Sequence, residues 1–154
     1  MKRKVIVVLA TALMVVMALP AGAARPIGVH IAVETFLLTF TGPFTASGPA
    51  VDDGLICASG SVIDDVNSFT GFTVNGFNYH GIKRFTCDDT SGEFLVNVQA
   101  RIDNRTGTTF NWNVIAGTGA YEDLHGAGPG VALDGGCGAE PCVLDVYDGT
   151  LHIE

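Results

Sequence analysis

Asp148 and His152 are the residues that most resemble an acid–base pair, since both fall on one face of the alternating run Val143 to Ile153. General acid–base groups must come within about 3 Å of the proton they move, or reach it through one water. Four residues of extended chain span about 13 Å, so these two cannot serve each other. Each would need a partner from a neighbouring strand, and a solvated surface position is the plainer reading of both. No nucleophile elbow of the form G-x-S-x-G occurs; Gly60-Ser61 and Ser91-Gly92 lack that frame. Calcium wants six to eight oxygens, often from alternating ligands in one loop. Asp52-Asp53-Gly54 and Asp88-Asp89 do not alternate in that way. Gly117 to Gly119 lacks the Lys-Ser/Thr ending of a phosphate loop. Asn104-Arg105-Thr106 is a formal glycosylation sequon beside a short, bacterial-looking leader.

Four cysteines complete the inventory of reactive side chains: Cys57, Cys87, Cys137 and Cys142. They include no C-x-x-C pair and no His at ligand spacing, so zinc is not implied. An even count in an exported chain favours disulfides, with three pairings open to four cysteines. Cys137 to Cys142 can close on itself through a Pro/Gly turn, and the expected pairs are 57–87 and 137–142. No cofactor and no metal follow from any of these residues.

Export itself is read from residues 1–23. Met1-Lys2-Arg3-Lys4 is a positive start, Val5 to Leu19 is apolar except for Thr11, and Ala21-Gly22-Ala23 is an A-x-A cleavage site. The apolar run is short for a permanent anchor, which needs about 20 residues. The expectation is a cleaved signal peptide, a secreted or extracellular protein, and no membrane span after cleavage. Residues 24–154 then form one domain, large enough for a real core. Three of the eight cations leave with the leader while all sixteen acids stay, giving a net charge of −11. The remaining cations form no basic tract, which argues against nucleic acid and anionic membrane as partners. The acids concentrate in doublets at Asp52-Asp53, Asp64-Asp65, Asp88-Asp89 and Glu122-Asp123, each expected at a solvated turn.

The elements that would carry these residues are strands. Period-two alternation marks Glu93 to Arg101, Thr108 to Ala116 and Val143 to Ile153, each with one apolar and one polar face. Further strands fit His30 to Leu38, Phe44 to Ala50, Gly54 to Val62, His80 to Cys87 and Ala127 to Leu133. Eight strands separated by Gly, Asp, Ser and Pro turns suit a sandwich or a barrel, and closure into a barrel removes exposed edges. One long connection, Ile63 through Tyr79, holds Phe69, Phe72, Phe77 and Tyr79. It is expected to fold over a barrel mouth as a cap. Gly117, Gly119, Gly126 and Gly128 surround Tyr121 and Leu124, which describes a sharp corner anchored by two large side chains.

That corner, Gly117-Thr118-Gly119-Ala120-Tyr121-Glu122-Asp123-Leu124-His125-Gly126-Ala127-Gly128, resembles the G-T-G-x-Y-x-x-L-x-G-x-G segment of bacterial allene oxide cyclase barrel-like proteins. Plant dirigent proteins carry a similar corner. Gly81 to Cys87 is similar to the family's G-x-K-x-F-x-C strand, Asp88 to Gly92 to its acidic hairpin turn, and Val146 to His152 to its closing V-Y-x-G-x-h-H strand (h apolar). The resemblance runs from about Phe44 to Ile153. It implies an all-β, eight-stranded antiparallel, calycin-like barrel with a small apolar lumen. It carries over no catalytic residue.

If the apolar face lines the lumen, Phe94, Val96, Val98, Phe110, Trp112, Val114 and Tyr147 point inward. Trp112 and Tyr147 would then orient a ligand and Phe94, Val98 and Phe110 would shape its wall. Three readings stay open: a carrier of a small hydrophobic molecule, a cyclase or isomerase acting on one, or a non-catalytic secreted module whose side chains fill the barrel. A homo-oligomer is compatible with each.

Overall fold

A computed structural model describes residues 25–154; the expected leader lies outside the described residues. Eight strands follow one another as an antiparallel meander: β1 (Ile27–Phe36), β2 (Thr41–Ser47), β3 (Ser59–Thr73), β4 (Gly76–Cys87), β5 (Glu93–Asp103), β6 (Gly107–Gly117), β7 (Leu124–Asp134) and β8 (Cys142–Ile153). Each pairs with its neighbours in sequence, and β1 pairs with β8 from Ile27↔Leu151 to Phe36↔Cys142, closing the barrel. Closure leaves no unpaired edge, which suits strands with a polar outer face. A one-turn helix, α1 (Pro49–Asp52), follows β2.

Three expected boundaries are corrected. The strand expected over Gly54 to Val62 begins only at Ser59, since Gly54 takes φ +71° in the turn after α1. The strand expected over Phe44 to Ala50 stops at Ser47, because Gly48 takes φ +98° and Pro49 opens the helical turn. The expected cap over Ile63 to Tyr79 is instead the outer half of a long β3–β4 hairpin, turning at Val74-Asn75. Register shifts between Asp64 and Val66, and between Thr70 and Thr73, break the alternation that would have revealed it. The same bulge corrects the reading of Asp64-Asp65 as a turn: the doublet lies within β3, with Asp64 buried and Asp65 outside, paired with Arg84.

One end of the barrel is filled. Phe85 stacks on Phe94 at 4.8 Å between ring centres, Phe44 meets Phe85 edge-on at 5.2 Å, and Tyr147 meets both Phe85 (5.9 Å) and Phe110 (4.8 Å). Such pairs add about 0.5–1.5 kcal/mol each beyond the area they bury. The glycine corner closes this end. Gly119 sits at φ +62°, and a Cβ on Gly117 would strike the backbone of Tyr121. Tyr121 and Leu124 are buried beneath the corner. The Tyr121 hydroxyl accepts the Cys57 N–H at 3.1 Å and lies 2.6 Å from Ser91 Oγ. Cys57 and Cys87 form a disulfide beside it, while Cys137 and Cys142 bridge the β7–β8 connection at the other end.

Candidate functional site

Strand alternation places Phe77, Tyr79, Gly81, Lys83, Phe85 and Cys87 of β4 on the lumen side. Phe85 belongs to the packed end, and Lys83, one pleat further along, ends that packing. Its side chain crosses the lumen to β8, which is not a neighbour of β4 in the ring. Lys83 Nζ lies 2.8 Å from Asp64 Oδ1 and 3.3 Å from Asp145 Oδ2, with Thr35 Oγ1 at 3.4 Å. The approach to Asp64 Oδ1 is a close ion pair off the line of a directed hydrogen bond. Thr35 also donates to Asp145 Oδ2 at 3.2 Å. Four strands, β1, β3, β4 and β8, therefore meet in one buried polar crossbar.

Tyr79 completes it. Its hydroxyl lies 2.9 Å from both Asp64 Oδ2 and Asn67 Oδ1. It has one proton to give, and the carboxylate is the stronger acceptor. The phenol reaches Asp64 by lying across Gly81, where any Cβ would collide with its oxygen. Burial, then the charge and hydrogen bond of Asp64, hold Tyr79 protonated far above the ordinary phenol range. Burial does the same to Tyr147, reinforced by Asp145 and Asp64, and its hydroxyl has no hydrogen-bond partner among the described residues.

Asp145 is the exposed flank of the cluster, though only slightly. Desolvation pushes its carboxyl above the usual range even though Lys83 and Thr35 pull the other way. Lys83 stands nearer Asp64, so the cation serves that carboxylate more fully.

Above the crossbar, toward the β3–β4 hairpin tip, the barrel is open. A cavity of about 260 Å³ is walled by Leu37, Phe40, Phe69, Phe77, Val98 and Phe110, with the Lys83 cluster as its polar end. Of the residues expected in the lumen, Val98 and Phe110 line this cavity. Phe94, Val96, Trp112, Val114 and Tyr147 are buried but lie outside its wall. The Trp112 indole N–H is directed at the backbone carbonyls of Pro129 (3.1 Å) and Asp148 (3.2 Å), so the ligand-orienting role expected of it has no free donor.

The polar cluster is what the sequence reading missed. Lys83 shares a face with Phe85 and Cys87, and Asp145 shares one with Tyr147 and Leu151. A charge in register with a buried face was the signal. Asp148 and His152, by contrast, lie outside the barrel: Asp148 pairs with His30 at 2.8 Å, and His152 stacks on His125. Among the described residues, no three His, Cys, Asp or Glu side chains gather as a metal site, and no helix is long and apolar enough to cross a membrane.

In comparisons with known proteins, the chain matches no family model, no curated protein and no solved structure.

Proposed function

We propose that the open half of the barrel binds a small, largely apolar molecule. The observation that carries this reading is a half-filled lumen: the cluster of Phe44, Phe85, Phe94 and Tyr147 gives way at the Lys83 crossbar, and a cavity of about 260 Å³ begins there. An apolar recess with a few convergent polar groups is the ordinary form of a small-molecule site. Its size falls just below the usual range for such sites, about 300–1,000 Å³, which favours a ligand of one or two rings. The resemblance to allene oxide cyclase barrel-like proteins is kept as the family proposal. Export is kept as the proposed location, and two disulfides suit an oxidising compartment.

A cyclase or isomerase would use the same recess, with orientation of the substrate as its main contribution. The specific observation favouring chemistry is Asp145, a carboxyl raised toward protonation at the cavity's polar end. Mass spectrometry under native conditions would find a retained small molecule, and recovery of that molecule unchanged would make the protein a carrier rather than an enzyme. Neutral aromatic probes such as toluene and naphthalene should raise the unfolding midpoint, by about 2.7 kcal/mol of stability at a hundredfold excess over Kd. Failure of every such probe to stabilise the protein, with nothing retained, would overturn the reading.

A further inference from the structure

We propose that the molecule taken by this cavity is a small apolar amine, held as its ammonium ion against Asp145. The inference rests on the ligand-binding reading above and adds the ligand's charge and head group.

The first argument is a count of unspent polar atoms. The polar side chains of the cavity wall are those of Thr35, Asp64, Tyr79, Lys83 and Asp145, with Thr108 at the rim. Lys83 holds its ammonium against Asp64, Asp145 and Thr35, so the cluster's one cation is already engaged by its own carboxylates. Tyr79 donates to Asp64 Oδ2, and Thr35 donates to Asp145 Oδ2. Both contacts to Asp145 fall on that one oxygen. Its Oδ1 has no hydrogen-bond donor among the described residues, and Asp145 is a wall residue of the cavity. Apart from the Thr108 hydroxyl at the rim, the polar feature a ligand meets is therefore an acceptor that asks for a donor.

The second argument is charge. With both carboxyls ionised, Asp64, Asp145 and Lys83 carry two negative charges and one positive, and no other cation lines the cavity. In that state the surplus negative charge sits on largely buried side chains, where it is costly. An ammonium at Asp145 Oδ1 brings the cluster to neutrality; a carboxylate ligand would add a third negative charge. Phe69, Phe77 and Phe110 supply the rings that favour a cation beside an apolar body.

Every ionisable group facing Asp145 fits this arrangement. Lys83 and Tyr79 come from β4, Asp64 from β3 and Tyr147 from β8 itself, while β1 offers the neutral Thr35. The facing wall from β5 to β7 is Val98, Ala100, Phe110 and Ala132, without charge. Desolvation already favours protonated Asp145, and an ammonium would reverse that preference. Amine affinity should thus rise with pH through the Asp145 titration.

Calorimetry on the full mature chain with benzylamine, benzyl alcohol and toluene tests the proposal. At about pH 8, benzylamine should bind at least about tenfold tighter than benzyl alcohol. Asp145→Asn should remove that advantage, so that benzylamine binds no tighter than benzyl alcohol. The wild-type pH profile is a second measurement that needs no variant: amine binding should weaken as pH falls from about 8 into the raised Asp145 titration while toluene binding holds. Benzyl alcohol equal to or better than benzylamine, or a flat amine profile, would overturn the amine assignment and leave the cavity reading standing. No binding of any of the three would overturn both.

Discussion

Replacing Lys83 by methionine keeps most of the bulk that crosses the lumen and deletes its charge. Asp64 and Asp145 then face each other's charge without a cation, since the other cations of the described chain do not line the cavity. Breaking a buried ion pair in this way costs about 3–5 kcal/mol. An independent bound comes from protonation, because the fold can always neutralise a stranded carboxylate. Moving a carboxyl from an unfolded pKa of about 3.9 to a protonated state costs about 4 kcal/mol at pH 7 and about 1.5 kcal/mol at pH 5. Asp145 already bears part of that cost in the wild type, because its folded pKa is raised. Asp64 would keep only the Tyr79 hydrogen bond.

The direction with pH follows from the same shift. A carboxyl whose folded pKa is raised binds more protons in the folded chain than in the unfolded one, so stability declines as pH rises from the unfolded value through the folded one. Without Lys83 the folded pKa climbs further, and the penalty grows toward neutral pH. Urea unfolding of Lys83→Met should show a loss of about 3–5 kcal/mol at pH 7, shrinking to about 2 kcal/mol at pH 5. Adding Asp64→Asn should recover about half of the loss at pH 7. A loss below about 1 kcal/mol at pH 7, or one that does not shrink at pH 5, would refute the crossbar as a buried, charge-compensated unit.

Two further substitutions probe the supports of the cavity and of the closed end. Gly81→Ala puts a methyl where the Tyr79 oxygen lies, so it should break the Tyr79–Asp64 hydrogen bond and cost about 1.5–3 kcal/mol in urea unfolding, at least as much as Tyr79→Phe. Tyr121→Phe should cost about 1–3 kcal/mol with an unchanged urea slope, because it leaves the buried Cys57 N–H without an acceptor; a loss below about 0.5 kcal/mol would mean water replaces the phenol.

The parts of the fold legible in sequence are those where one face is dry and the alternation unbroken. β5, β6 and β8 read cleanly because Phe94, Val96 and Val98, then Phe110, Trp112 and Val114, then Tyr147, Gly149 and Leu151, recur every second residue, with polar residues between them except for Leu95. The two disulfides were legible for a related reason, since the short Pro/Gly loop of 137–142 left Cys57 and Cys87 to each other. β3 failed the same test because each bulge inserts a residue and reverses which parity faces inward. The inner face beyond the first bulge carries Asn67 and Phe69 rather than continuing from Val62 and Asp64 in step. A reader of one period sees a loop there.

The cavity's polar end was hidden for a topological reason. Lys83 and Asp145 lie on strands that are not neighbours, and only closure of β1 onto β8 brings them across from each other. Pairwise spacing along the chain therefore contains nothing about their contact. What the chain does contain is the violation each makes in its own strand: a lysine between Gly81 and Phe85, an aspartate two residues before Tyr147, and an aspartate two residues after Val62. A single inward charge is costly enough that it must be answered from another inward strand. Three such violations with two acids and one base already demand a meeting point, and they leave one acid short of a partner. That shortage, read from strand parity alone, is the feature on which the amine proposal turns.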